Sequence, residues 1–375
     1  MRPLRLLIVN PFGIGDVLFT TPLIRAVRQA FPDSVLGYLC NRRTEYLLQN
    51  NPQLDHVFIY EKDEVTRFWR EDWRKGLRAF GALCADIRRV GFDVVIDLSL
   101  GERYGLILKL LGIPRRVGFN YRHRGRFLTA SLPIDGYHDE HVIGYYRRLL
   151  KFIGVQLQDD RLELRPHRED QRWAQGWLQQ QGVSGSRLLV GVVPAGGVSW
   201  GIDAPFRRWS CEGFAHVADH LVERYGASIL IFGERTDQPI CHQVMKAMRH
   251  RAIDLSGQTS LGQFVGLLGY LHLIICNDGG PLHLAVSQGV QTVSIFGPVD
   301  PRVYGPYAPT QPERHRVVAQ EELSCRPCYH GFKLPPCPYE RACLTTIQVA
   351  DVIGACQMVL GRAPIPHPVV NRTNA

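Results

Sequence analysis

The sequence predicts an α/β protein made of two open, doubly wound domains with a cleft between them. Two observations carry this. Short apolar runs alternate with helical periodicity, the rhythm of parallel strands joined by crossover helices. The same rhythm then breaks off in a polar, Gln/Gly-rich stretch and restarts, and 375 residues are enough for two domains of ordinary size.

In the first half, strands are expected over residues 4–10, 35–40, 56–60 and 93–98. Helices are expected over 17–30, 67–90, 103–111 and 140–153. Residues 154–187 carry the junction, which sets the domains at 1–170 and 171–375. The second half gives strands over 188–193, 228–232, 273–276 and 292–296, and helices over 211–225, 237–248, 260–271 and 282–288. Ligands of such sheets gather where the strand carboxyl ends part.

Composition narrows the class. Apolar residues are 45% and charged residues 21% of the chain, which suits a globular protein. The apolar run at Leu6–Val9 stops at Asn10-Pro11, too short for a signal-peptide core, and no run reaches the roughly 18 residues of a membrane span. A cytoplasmic location is expected. The net charge of +9 suits phosphorylated small molecules, an anionic membrane face or nucleic acid without choosing among them. Most of the ten cysteines fall in strand or helix patterns and read as reduced core residues.

The loop after the first strand is Asn10-Pro11-Phe12-Gly13-Ile14-Gly15-Asp16. Gly13 and Gly15 let backbone approach a ligand, but Leu18 stands where a dinucleotide fingerprint has its third glycine. Asp16 would repel a diphosphate at this helix start. A carboxylate here suits proton abstraction from an acceptor hydroxyl; a plain helix cap is the competing account. No Walker lysine follows.

Asn277-Asp278-Gly279-Gly280-Pro281-Leu282-His283 follows a buried strand and opens a helix whose positive end suits a phosphate. His283 could donate to the same phosphate, or be a core histidine behind a cap. Arg207-Arg208-Trp209 precedes the helix over 211–225, and one of its arginines could neutralise a diphosphate leaving group, or both be solvated cations. Asp237 could bind ribose hydroxyls, or cap its own helix. No Asp-X-Asp pair occurs, which fits charge neutralisation by Arg, His and helix dipoles in place of a metal.

Arg115, Arg116, Arg122, Arg124 and Arg126 crowd into one short stretch, as an acidic or phosphorylated acceptor would favour; a solvated loop explains them as well. Cys325, Cys328, Cys337 and Cys343 sit among stiffening prolines. Four thiolates could hold a structural zinc or iron, while a redox pair or disulfides formed on handling compete with that reading; neither gives them a part in catalysis.

Together these motifs resemble glycosyltransferase family 9, the ADP-heptose:lipopolysaccharide heptosyltransferases. The first block is Gly15-Asp16, Thr21-Pro22, Arg25-Ala26-Val27-Arg28, Phe31-Pro32 and Asn51-Pro52-Gln53-Leu54-Asp55. The second is Asp254-Leu255-Ser256-Gly257, Thr259-Ser260-Leu261, the Asn277–His283 run and Phe296-Gly297-Pro298 with Asp300-Pro301. The resemblance implies a GT-B fold of two Rossmann-like domains and inverting, metal-independent transfer with no required cofactor. By it, Asp16 is the base, and Arg207, Asp237, Asp278, Gly279, Gly280 and His283 hold the donor; the loop and charge readings above put Gly13, Gly15, Arg115, Arg116 and Arg122 on the acceptor side. Two departures stand out. Arg207 replaces the family's usual lysine, and Gly279 replaces its usual Ser or Thr.

The expected partners are an ADP-heptose-like donor, a lipopolysaccharide acceptor and the cytoplasmic membrane face. Two rivals stay open: a nucleotide-sugar 2-epimerase of the same fold, and a metal-stabilised nucleic-acid binder. The second lacks the aromatic–basic interleaving of a nucleic-acid reader, so no nucleic-acid partner is expected.

Overall fold

A computed structural model describes residues 3–61, 73–183, 188–196 and 198–361. The chain divides between Arg165 and Pro166 into two compact units.

The first unit is a six-stranded parallel sheet. Its strands are β1 (Arg5–Val9), β2 (Val35–Cys40), β3 (His56–Ile59), β4 (Val94–Asp97), β5 (Arg115–Tyr121) and β6 (Ala130–Ile134). They lie in the order β3-β2-β1-β4-β5-β6. Leu6, Leu7, Ile8 and Val9 are fully buried, as a strand covered on both faces requires. The helix expected over 17–30 is two, Ile14–Leu18 and Thr21–Ala30. Pro22 lies in the first turn of the second, where its missing N–H leaves no hydrogen bond unmade. Helix Trp73–Val90 realises the later part of the one expected over 67–90, whose first residues lie outside the described ones. The arginine stretch is not a loop throughout. Its start is β5, whose alternately buried Val117, Phe119 and Tyr121 give the strand one core-facing side.

The second unit repeats the plan with β7 (Leu189–Val193), β8 (Ser228–Ile231), β9 (Ile253–Asp254), β10 (Leu273–Asn277), β11 (Gln291–Phe296) and β12 (His315–Ala319). All pair in parallel, in the order β12-β11-β10-β7-β8-β9. Helix Arg168–Gln180, which spans the expected boundary at 170, belongs wholly to this unit. It packs on helix Leu261–Leu268 so closely that a Cβ at Gly266 would lie 2.6 Å from the Asp170 carbonyl oxygen. The last helix, Val349–Leu360, folds back on this sheet and buries Val352, Cys356 and Val359 in its core. No helix among the described residues is long and apolar enough to cross a membrane.

Candidate active site

In each sheet the first strand lies in mid-sheet, with the chain leaving to one side and returning on the other. The loops after β1 and β4 therefore part at one switch point, and those after β7 and β10 at another.

In the first unit the loop after β1 is held by two buried asparagines. Asn10 Nδ2 donates to the Asp16 carbonyl (3.1 Å) and its Oδ1 accepts from Phe12 N (3.2 Å). Asn41 Nδ2 donates to the Phe12 carbonyl (2.6 Å). Gly13 caps helix Ile14–Leu18, and Asp16 Oδ2 accepts the Gly13 amide at 3.2 Å. The capping account of Asp16 is thus realised, and it fixes the carboxylate on a half-buried turn at the strand carboxyl edge. A Cβ at Gly13 would meet only that same Asp16 oxygen, at 3.7 Å, so the protein's own packing does not demand glycine there.

The β4 side of this switch point holds a residue the sequence analysis passed over. Asp97 pairs in register with Val9 and is buried. Its Oδ1 accepts from Ser99 N at 2.9 Å. Burial pushes its carboxyl up to about 6, only partly offset by the Ser99 hydrogen bonds. The signal was an aspartate ending the apolar run Val94-Val95-Ile96.

The arginine stretch is split between the two ends of β5. Arg115 and Arg116 start the strand, at the edge away from Asp16, and are spent on backbone carbonyls. Arg115 donates to the Phe152 carbonyl, and Arg116 to those of Phe127 (2.6 Å) and Ile113 (2.5 Å). Arg122 follows the strand at the carboxyl edge, exposed, with its guanidinium 5.2 Å from the Tyr121 ring centre. The structure therefore brings Arg122, and not Arg115 or Arg116, to the edge that carries Asp16.

The second unit gathers its expected residues more tightly. Buried Asn277 ends β10 and ties it to two other segments. Its Nδ2 donates to the Pro194 carbonyl (2.7 Å) after β7, and its Oδ1 accepts from Trp209 N (2.9 Å). Next to it Arg207 forms a buried ion pair with Asp278, and Arg207 Nε is buried with no hydrogen-bond partner among the described residues. Burial raises the Asp278 carboxyl, and Arg207 opposes the rise. The guanidinium also lies 4.2 Å from the Trp200 ring centre. Gly279 caps helix Gly280–Ser287 without a side-chain cap, Pro281 sits in its first turn and His283 is buried on it. Asp237, also buried, accepts from Glu234 N (3.1 Å) and lies 3.7 Å from Arg208, which donates to the Gly196 carbonyl. It makes no side-chain cap to the following helix Gln238–Ala247 but closes the turn before it, and it stands on the loop after β8, beside that of β7.

The four C-terminal cysteines are free thiols. Cys343 is packed in the core, its thiol pushed up to about 11 chiefly by burial, and Cys337 Sγ accepts from Arg341 N at 3.4 Å. Among the described residues, three or more ligand-type side chains converge within 4.8 Å at His167, Glu169 and Asp170, and not at these cysteines.

The model of glycosyltransferase family 9 (heptosyltransferase) matches residues 80–333, from within helix Trp73–Val90 into the Cys-rich segment, which takes in β4 and the whole second switch point but not the loop that carries Asp16. The chain belongs to glycosyltransferase family 9. It is 26% identical over 324 residues to lipooligosaccharide heptosyltransferase 2 of Haemophilus influenzae, covering 84% of this chain and 88% of that one. A family 9 glycosyl transferase from Veillonella parvula superposes with a TM-score of 0.79 at 25% identity, over 95% of this chain and 97% of that one. The ADP-heptose lipopolysaccharide heptosyltransferase II of E. coli does so at 0.71 and 18% identity, over 95% and 98%. The two parallel six-stranded sheets of this family 9 member are those of the GT-B fold.

Proposed function

We propose that this glycosyltransferase moves a heptose, or a closely related sugar, from an ADP-sugar to a lipopolysaccharide core acceptor in one inverting, metal-independent step. The observation that carries the donor half is Arg207. An arginine buried with an unpartnered Nε, beside the first turn of a glycine-capped helix at a sheet switch point, is built to meet an anion. Burying that donor unmet costs about 1–3 kcal/mol, which a diphosphate oxygen recovers. Asp278 orients the guanidinium, His283 adds a ring on the same helix, and Asp237 offers a carboxylate for ribose hydroxyls.

The acceptor half rests on Asp16, with Gly13, Gly15 and Arg122 at the same edge of the first unit. The Asp16 carboxylate takes the acceptor hydroxyl proton. The oxygen then attacks the anomeric carbon while that carbon's bond to the diphosphate breaks and ADP departs with the electron pair. One displacement gives one inversion. The names of the H. influenzae and E. coli relatives support heptose and lipopolysaccharide as the substrates.

A lipid-borne acceptor calls for contact with the membrane face. Trp73 and Leu77 are 55% and 50% exposed on helix Trp73–Val90, and Leu106 and Leu110 are exposed on helix Glu102–Leu110. Arg88 donates to the Leu110 carbonyl and joins the two helices. Arg74, Lys75, Arg78 and Lys109 flank these side chains, the pattern of an anionic-lipid surface.

The test is transfer itself. Purified protein with ADP-heptose and a heptose-acceptor core should release ADP only when both substrates are present. ADP-sugar converted without acceptor would instead favour an epimerase, and a salt-sensitive shift of DNA or RNA with no turnover would favour the nucleic-acid reading.

A further inference from the structure

The Cys-rich segment grips the donor-side loops. Arg326 donates to the Gly297 and Val299 carbonyls (2.5 and 3.3 Å), and the amides of Cys328 and Tyr329 both donate to the Pro298 carbonyl (3.1 Å). Arg341 donates to the Pro205 carbonyl at 2.9 Å. A side chain then crosses from this segment to the donor arginine. The Tyr329 ring lies 4.6 Å from that of Trp200, tilted by 33°, and Trp200 lies under the Arg207 guanidinium. Arg207 returns to Asp278, whose amide donates to the Ile295 carbonyl of β11 at 3.0 Å. The path is closed. It leaves the sheet by the loop after β11 and returns at the loop after β10.

Trp200 needs such a brace. It sits on the 3₁₀ stretch Val198–Arg207, which is broken at Gly201 and leaves neighbouring Ile202 90% exposed. A long arginine carries about 2 kcal/mol of rotamer freedom, and the stack and the ion pair fix its fork from two directions. The column suits an arginine at position 207 better than a lysine. A planar guanidinium lies flat on an indole ring, while an ammonium is a hydrated point charge.

We propose that Tyr329 and Trp200 are positioning residues for Arg207: the Cys-rich segment sets where the guanidinium meets the donor's diphosphate. This rests on the donor half of the proposed function. The test is a double-mutant cycle on full-length protein, with ADP and inorganic pyrophosphate as separate calorimetric probes and melting temperature recorded throughout. Tyr329→Leu should weaken ADP binding about tenfold, Tyr329→Phe should restore it, and Trp200→Leu should match Tyr329→Leu. In the Arg207→Lys background, Tyr329→Leu should add less than about twofold, because the column has lost its end. An equal loss in both backgrounds, or no loss in either, overturns the proposal. Wild type that binds pyrophosphate but not ADP would sink the ADP-donor reading alone, and the cycle is then read with pyrophosphate. Wild type that binds neither contradicts both.

Discussion

The two switch points share one topology and carry opposite chemistry. The first unit places Asp16 and Asp97 at or beside its parting strands, and among the described residues no cation is paired with Asp97. The second places Asp278 after β10 and Asp237 on the loop after β8, beside that of β7, and each has an arginine within ion-pair distance. A carboxylate held on a turn at the sheet edge suits taking a proton, whereas an acid paired with an arginine holds it in place for a third, anionic party. Identical folds can thus divide a transfer reaction, because the loops and not the sheets set the charge.

The sharpest way to break this comparison is Asp16→Ala. Transfer should fall by about a thousandfold in a steady-state assay of ADP release. A fall of less than tenfold would leave Asp16 as a helix cap alone. Next is Arg207→Ala, which removes the proposed diphosphate partner and strands Asp278 in the interior. Donor affinity should drop about a hundredfold, and stability by roughly 3–5 kcal/mol in denaturant titration. Arg207→Lys keeps the charge and should lose less of both.

Asp97 sharpens the contrast through pH. Its folded carboxyl titrates near 6, above its ordinary value, so the folded state holds the proton more tightly than the unfolded one. Its contribution therefore falls as pH rises from about 4 to 6, and the charged form costs roughly 2–3 kcal/mol at pH 8. Asp97→Asn should stabilise the protein by about that amount at pH 8, with the difference gone below pH 4. Equal stability at both pH values would show that the carboxylate is compensated after all. The smallest effect is expected at the two helices proposed to meet the membrane. Serine at positions 73 and 77 together (Trp73→Ser, Leu77→Ser) should cut sedimentation with anionic vesicles several-fold while leaving melting unchanged.

Much of this was legible in the sequence, and the misses have physical causes. Buried parallel strands such as β1 and β10 read as continuous apolar runs. β5 hid behind its arginines, since only alternate residues face the core. Helix Arg168–Gln180 is polar over most of its length and buries only Ala174 and Leu178, so it read as part of the junction. The glycine loops announced their place at strand ends. Asp97 did not, because burial and not spacing makes it unusual. The stack from Tyr329 to Arg207 joins residues far apart in the chain, which no local pattern can show.

The division of labour is tested most directly by titrating ADP into three proteins in the calorimeter: wild type, Asp16→Ala and Arg207→Ala. Asp16→Ala should bind ADP within twofold of wild type, while Arg207→Ala should lose most of that affinity. The reverse order, or equal losses in both, would contradict the assignment of the proton to one unit and the leaving nucleotide to the other.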